Sequence, residues 1–338
     1  MQKTTNLVLE TSPISYEIGA LSTLMDLSVS VSCDQFSEAV AAWLRKTPSA
    51  NTTKSYAGDL SQFFRFLGLT PNDARRLSDV QPIHVSAWRD QLKELGMANA
   101  TIRRKLTTLR ALFSYLQNCG LVSVNPAHGK FVTAPPVPRD GKTIGLSQQA
   151  CRLLLDAPDP NHPIGVRDQA ILGVLAYSAC RVDEIVRLRS RDYLQTGEHR
   201  VLNVIGKGQK ERRVPLHLEA VERLNDWYRV GGIDNDRVGA MFRPVSNARG
   251  RGATGFRDRA LTTRSVAKLV KKYAAQVGLD PAVSVHSLRV TALTIARERG
   301  ADIIDLQDFA GHADPRTTLT YIRSRDRLSK SPAYILHY

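Results

Sequence analysis

A few residues in the second half of this 338-residue chain have types and positions suited to chemistry. Tyr177-Ser-Ala-Cys-Arg181-Val-Asp-Glu184 places a cation at the end of an apolar stretch. Such a cation is costly unless an anion meets it, and Glu184 or an incoming phosphate could do so. Lys207 stands between two glycines, either as a solvated turn lysine or as a mobile ammonium reaching a phosphate. His286-Ser-Leu-Arg289 puts two donors one helical turn apart, able to meet one phosphate group. Gly311-His312 joins two helical segments, and Tyr321 follows in Thr317-Thr-Leu-Thr-Tyr321. Each alone has an ordinary structural reading: a paired arginine, a solvated face, a core tyrosine. Their shared chemistry is anion binding beside a phenolic hydroxyl.

The elements that must position them follow from periodicity. Apolar residues at helical spacing predict helices from Asp34, then over Ser49–Leu67, Gln81–Leu95 and Asn99–Cys119, with Pro82 in a first turn and Gly120 as a stop. Asn125-Pro126 and the proline-rich stretch ending at Pro138 predict an extended linker. Beyond it, Ser147 is a candidate cap for a helix through Leu155, and Asp168–Ala179 reads as a buried helix. Val201–Ile205 and Arg212–Leu216 alternate as strands of a hairpin carrying Lys207. Helices are expected at His217–Tyr228, Thr263–Val277, His286–Arg299, Ile303–Gly311 and Pro315–Arg325. The Gly/Arg-rich stretch between Gly231 and Thr262 reads as a solvated or phosphate-contacting loop, not a core. The expected domains are an extension (1–32), a helical domain (33–128), a linker (129–142) and a mixed domain with a tail (143–338).

Composition narrows the partner. The net charge is +15, from 47 Lys and Arg against 32 Asp and Glu. Residues 1–32 carry −2, residues 33–142 carry +7 and residues 143–338 carry +10. Two basic domains suit one extended polyanion. No apolar run reaches the length needed to span a bilayer, and the N-terminus lacks a secretory pattern, so a cytoplasmic protein with no membrane partner is expected. Cys33, Cys119, Cys151 and Cys180 are scattered without a C-x-x-C pair, which argues for small buried thiols and against zinc or disulfides.

Taken in order, Ser178-Ala-Cys-Arg181-Val-Asp-Glu184, Ile205-Gly-Lys207-Gly-Gln-Lys210-Glu-Arg212-Arg-Val-Pro215, His286-Ser-Leu-Arg289, Ala310-Gly-His312 and Thr317–Tyr321 closely resemble the catalytic signature of the tyrosine recombinases, or phage-type integrases. Thr52-Thr-Lys54-Ser-Tyr56 and Thr101-Ile-Arg-Arg-Lys-Leu106 are similar to that family's helical core-binding domain. Two departures stand out. Val290 replaces the last His of the family's H-x-L-R-H, and Ala179-Cys180 replaces Gly-Leu, read here as a packing variation.

The resemblance implies a fold that is mainly α with a small β-sheet: an all-helical SAM-like domain plus a mixed α/β catalytic domain. It implies a site-specific DNA recombinase working through a 3′-phosphotyrosyl intermediate on Tyr321, without cofactor or metal. Arg181 and Arg289 hold the non-bridging oxygens, His286 is a base or donor, and His312 bonds the phosphate. Lys207 protonates the leaving 5′-oxygen, and Glu184 orients Arg181 or His286. Lys54, Arg103, Arg104, Lys105, Lys210 and Arg212 are the candidate DNA contacts. The implied partners are double-stranded DNA with specific sites and three further copies of the chain, a tetramer on two duplexes built from free monomers. The short acidic extension favours a simple Xer or Cre type. A type IB-like topoisomerase or a non-catalytic DNA-binding protein are the competing readings.

Overall fold

The computed structural model describes residues 35–47, 49–137, 143–206, 208–234, 236–245 and 255–321. The expected extension 1–32, the Asp34 cap and the tail therefore lie outside the described residues. The chain divides into two compact units, with the boundary between Pro138 and Arg139.

The first unit is helical: α1 (Gln35–Arg45), α2 (Ala50–Phe66), a 3-10 segment (Pro71–Asp79), α3 (Pro82–Glu94) and α4 (Asn99–Asn118). Its core follows the apolar spacing. Ile102, Leu106, Leu109, Leu112, Phe113 and Leu116 form one buried stripe of α4, packed with Leu60, Phe63, Phe64, Trp88 and Leu92. The Phe63 and Trp88 rings meet at 5.0 Å. α4 ends where Gly120 takes a φ of 72°, as its glycine predicts.

The expected linker is shorter than its prolines suggest. Asn125 is buried, and its side-chain amide donates to Arg110 O (3.0 Å) and Ser114 Oγ (2.9 Å). Arg110 donates to Ala127 O and Val132 O, and Val132 is fully buried. Arg89 and Asn99 hold Thr133 O and Pro136 O. Residues 129–136 are thus clamped to the helical unit, because its arginines satisfy carbonyls that a proline-rich segment cannot pair internally.

The second unit runs α5 (Gln148–Asp156), α6 (Pro163–Ser178), α7 (Val182–Arg187), a 3-10 turn (Ser190–Asp192), β1 (Tyr193–Thr196), β2 (His199–Ile205), β3 (Glu211–Pro215), α8 (Leu218–Gly231), α9 (Thr263–Gln276), α10 (Val285–Glu298), α11 (Ile303–Ala310) and α12 (Pro315–Tyr321). Ser147 caps α5, accepting from Ala150 N. α6 is buried on most sides, with its charged Arg167 and Asp168 paired to each other, and it starts at Pro163, earlier than expected, because His162 caps it. The three strands form an antiparallel sheet in the order β1-β2-β3, with Val204 opposite Arg212 and Leu202 opposite Val214. β1 and α7 were not expected from periodicity, being only four and six residues long.

The stretch from Gly231 to Thr262 is not wholly a solvated loop. Ile233, Ala240, Met241, Phe242 and Leu261 are buried in the core, and the indole of Trp227 donates to Met241 O at 2.8 Å. Its Asn247–Gly252 segment lies outside the described residues. Of the cysteines, Cys151 and Cys180 are buried, but Cys119 is exposed at the end of α4.

Candidate active site

The site is built around the C-terminus of α11. A helix leaves its last carbonyls unpaired and carries partial negative charge there, so cations are favoured. Asp302 caps the start of α11, and Gly311, at φ 62°, ends it in the left-handed conformation. Three guanidiniums from three elements then occupy successive carbonyls. Arg212 from β3 donates to Phe309 O (3.4 Å), Arg289 from α10 to Ala310 O (2.7 Å), and Arg181, at the start of α7, to Gly311 O (3.4 Å from each Nη). Gly311 is required twice: a Cβ there would stand 2.9 Å from Arg212 Nη1, and its positive φ disfavours other residues.

Arg289 is 1% exposed. It also donates to Ala179 O, and its Nη2 lies 2.7 Å from His312 Nε2. Ala179 has a φ of 48°, which turns its carbonyl toward Arg289. The family's glycine would adopt that conformation freely, so the change at 179 is a backbone matter and not only a packing one. Its methyl packs with Leu293, Leu306 and Ala310.

Glu184 balances the cations. Its Oε2 accepts from the Arg181 backbone N–H (2.8 Å) and Arg212 Nη2 (2.9 Å), and its Oε1 accepts from Arg181 Nη1 (3.1 Å) and Arg212 Nη1 (3.2 Å). Burial raises its pKa, but the hydrogen bonds from Arg212 and the Arg181 backbone outweigh that and hold the carboxyl below its ordinary range. Three guanidiniums and one carboxylate give these four side chains a surplus of two positive charges.

His312 is buried, and burial, then the charges of Arg289, Arg181 and Arg212, lower its pKa to about 4. It is neutral at pH 7. A guanidinium can only donate, so Nε2 accepts from Arg289 and the proton sits on Nδ1, 2.9 Å from Thr318 Oγ1. His286 lies at the exposed rim of the same helix as Arg289. Surrounding protein, then Arg289 and Arg181, lower its pKa. Burial pushes the neighbouring Cys180 thiol up to about 11, so it stays protonated beside Arg212.

Both units of the chain match known proteins. Residues 145–327 fit the phage integrase family model, and residues 34–120 fit that family's N-terminal SAM-like domain. The chain belongs to the phage integrase family of tyrosine recombinases. This recombinase is 35% identical over 297 residues to tyrosine recombinase XerD of Pseudomonas putida, covering 85% of the chain and 91% of that protein. It is 30% identical over 281 residues to tyrosine recombinase XerC of Thermodesulfovibrio yellowstonii, covering 82% and 87%. Among solved structures, a XerH site-specific recombinase bound to palindromic difH substrate, in a post-cleavage complex, shares the fold at a TM-score of 0.65. It is 18% identical, with 92% of each chain covered.

The structure of the recombinase brings Arg181, Glu184, Arg289 and His312 together, with His286 on the rim. Lys207 and the Tyr321 side chain lie outside the described residues. Gly206, the residue before Lys207 in the chain, approaches Glu184, and Tyr321 ends α12 one turn after Thr318. Glu184 pairs with Arg181 and Arg212. Arg212, read as a DNA contact, belongs instead to the inner cluster, 14% exposed on Glu184. The signal for this was the strand period, which puts Arg212 on the same face as buried Val214. Lys105 is corrected too. It is 3% exposed, its ammonium spent on Asp59 (3.0 Å) and Gln62 (2.5 Å), so it does not face outward. Arg104 is bidentate to the same Asp59 and half exposed, whereas Lys54, Arg103 and Lys210 are exposed. Among the described residues no cluster of His, Cys, Asp and Glu could hold a metal, and no helix is long and apolar enough to cross a membrane.

Proposed function

We propose that this recombinase cleaves and rejoins duplex DNA at specific sites through a 3′-phosphotyrosyl link on Tyr321. The observation that carries the reading is the cation cluster on the α11 C-terminus, immediately followed by the helix that bears Tyr321. A phosphodiester carries one negative charge and gains a second as the attacking oxygen adds to phosphorus. The surplus of two positive charges suits that change in a site with little water to screen it. Arg181, more exposed and held to Gly311 O only at 3.4 Å, is the guanidinium freest to transfer to a non-bridging oxygen. Arg289 supplies the second fork.

Tyr321 Oη attacks phosphorus, its proton passing toward His286. The P–O5′ bond breaks, and Lys207 gives a proton to the leaving 5′-oxygen. A second 5′-hydroxyl then attacks the phosphotyrosine, re-forms the phosphodiester and releases Tyr321. The covalent link keeps the bond energy, so no nucleotide cofactor or metal is invoked. In the form described here His312 accepts from Arg289 and cannot donate to a phosphate oxygen. Its first role is therefore to aim Arg289.

Lys54, Arg103, Arg104 and Lys210 add backbone affinity. One relative in fold, a lambda integrase, is solved as a tetramer bound to a Holliday junction, which supports a tetramer on two duplexes for this chain. The apolar tail from Pro332, outside the described residues, is proposed to link protomers, so deleting 332–338 weakens assembly but spares single-site binding. The role is exchange at short paired sites in the cytoplasm: dimer resolution, integration or excision. The test is a nicked suicide duplex drawn from a library of randomised sites. A covalent adduct lost in Tyr321→Phe supports the reading, and relaxation of plasmid without site preference points to a topoisomerase instead.

A further inference from the structure

We infer that Arg104 reads a guanine of the recombination site and that Asp59 is the positioning residue that aims it. The inference rests on the reading of the chain as a site-specific recombinase and deepens it, giving Arg104 a task beyond backbone charge. Asp59 on α2 is 2% exposed, and its carboxylate accepts four hydrogen bonds from α4. Oδ1 takes Arg104 Nη2 (2.7 Å) and Lys105 Nζ (3.0 Å), and Oδ2 takes Arg104 Nη1 and Thr108 Oγ1 (2.8 Å). Lys105 and Thr108 are themselves buried, and Lys105 is held in turn by Gln62. A carboxylate gripped from the buried side cannot turn, so it fixes the guanidinium it holds.

A guanidinium carries its N–H donors in one plane. Arg104 gives the Nη1–Nη2 end to Asp59, and Nη1 also donates to Ser55 Oγ (2.6 Å). The donors that remain, Nε–H and the second Nη2–H, lie side by side on one edge, and no contact of Arg104 among the described residues uses them. With its Asp59 end buried and the side chain 47% exposed, that edge is the accessible part of the group. Gly58, exposed just before Asp59, leaves open space where a Cβ would stand. Two parallel donors match O6 and N7 of guanine, and the exposed face of a helix such as α4 fits the major groove where they lie. A phosphate is served as well by a mobile cation, and exposed Lys54 and Arg103 on the same two helices supply that. A fork held still by a buried network suits acceptors fixed in a plane.

The test is a binding selection from randomised duplexes with the full-length chain, so it does not depend on cleavage. Wild type should select guanine at one position of each half-site. Replacing that base by 7-deazaguanine removes the N7 acceptor but keeps pairing and charge, and should weaken binding roughly 5- to 30-fold. Arg104→Ala, Arg104→Lys and Asp59→Asn should each lose both the guanine preference and this penalty, with the other selected positions unchanged. Leu116→Ala, a core truncation about three turns along α4, should lower the Tm and leave the penalty at its wild-type size. If Asp59→Asn does not fold, Thr108→Val, which removes one buried anchor of Asp59, should lower the penalty at least about twofold. No guanine selected by wild type, or a penalty that persists in Arg104→Ala, overturns the inference. So does a loss in Arg104→Ala that is uniform across sequences with a salt slope lower by about 1, which is the mark of a phosphate contact. A penalty unchanged in Asp59→Asn, or in Thr108→Val where that variant stands in, overturns the part given to Asp59. An absence of covalent adduct would reject the recombinase reading and leave these binding results standing.

Discussion

Replacing Glu184 by Gln removes the one negative charge among the inner cations without changing the side chain's shape. The carboxylate is 4% exposed and accepts four hydrogen bonds, three of them from guanidiniums. An amide keeps one acceptor oxygen and turns an NH2 group toward groups that only donate. Breaking one partner out of a buried ion pair costs about 3–5 kcal/mol. Arg181 is more than a third exposed, so its share is screened by solvent. Arg212, at 14%, supplies most of the loss. The expected cost is therefore at the lower end, about 3 kcal/mol. For a unit the size of residues 139–338, that is a Tm lower by roughly 6–12 °C at pH 7.

The cost should depend on pH in a defined way. The folded carboxyl titrates below its ordinary value of 4.5, so its stabilisation is present above pH 4.5 and is lost as pH falls through the folded pKa. The difference in Tm between wild type and Glu184→Gln should be constant from pH 7 to about 5 and shrink below about 4.5. Scanning calorimetry across pH 3.5–7, about that span, reads it directly. Equal melting of the two chains at pH 7 would refute the reasoning, and so would a gap that persists unchanged below the folded pKa.

Three further outcomes follow from particular contacts. Gly311→Ala places a methyl against Arg212 at a positive φ, so it should cost about 1–2 kcal/mol by chemical denaturation and slow adduct formation. Ala179→Gly relieves a strained φ worth about 1–2 kcal/mol, but it loses a buried methyl and loosens the unfolded chain, so stability should change by no more than about 1 kcal/mol. Arg103→Ala should lower the slope of log K against log salt for DNA binding by about 1, whereas Lys105→Met should leave that slope unchanged and instead destabilise the helical unit by about 1–3 kcal/mol.

What the sequence made legible was order and period. The α4 stripe and the β2–β3 hairpin stand where spacing put them, because helix and strand periods are local properties. Family membership was carried by five motifs in sequence, not by any one residue. The hub on α11 was not legible, since it consists of main-chain carbonyls, and one-letter patterns say nothing of which guanidinium reaches which carbonyl. The same holds for Lys105: beside Arg103 and Arg104 it looks like part of a solvated stripe, and only the approach of Asp59 from α2 shows it is inside. Met241-Phe242 was hidden because two apolar residues in a polar loop have no period to read. Ala179 shows the limit of comparing residue types. Ala for Gly is a small change in volume, and its consequence lies in a backbone angle.

The central claim is covalent attack by Tyr321, and mass spectrometry of the adduct trapped on a nicked suicide duplex tests it most directly. A single DNA-linked peptide containing Tyr321, joined through a 3′-phosphate, is expected, absent in Tyr321→Phe and in Arg289→Ala. An adduct on any other residue, or adduct formation undiminished in Tyr321→Phe, would contradict it.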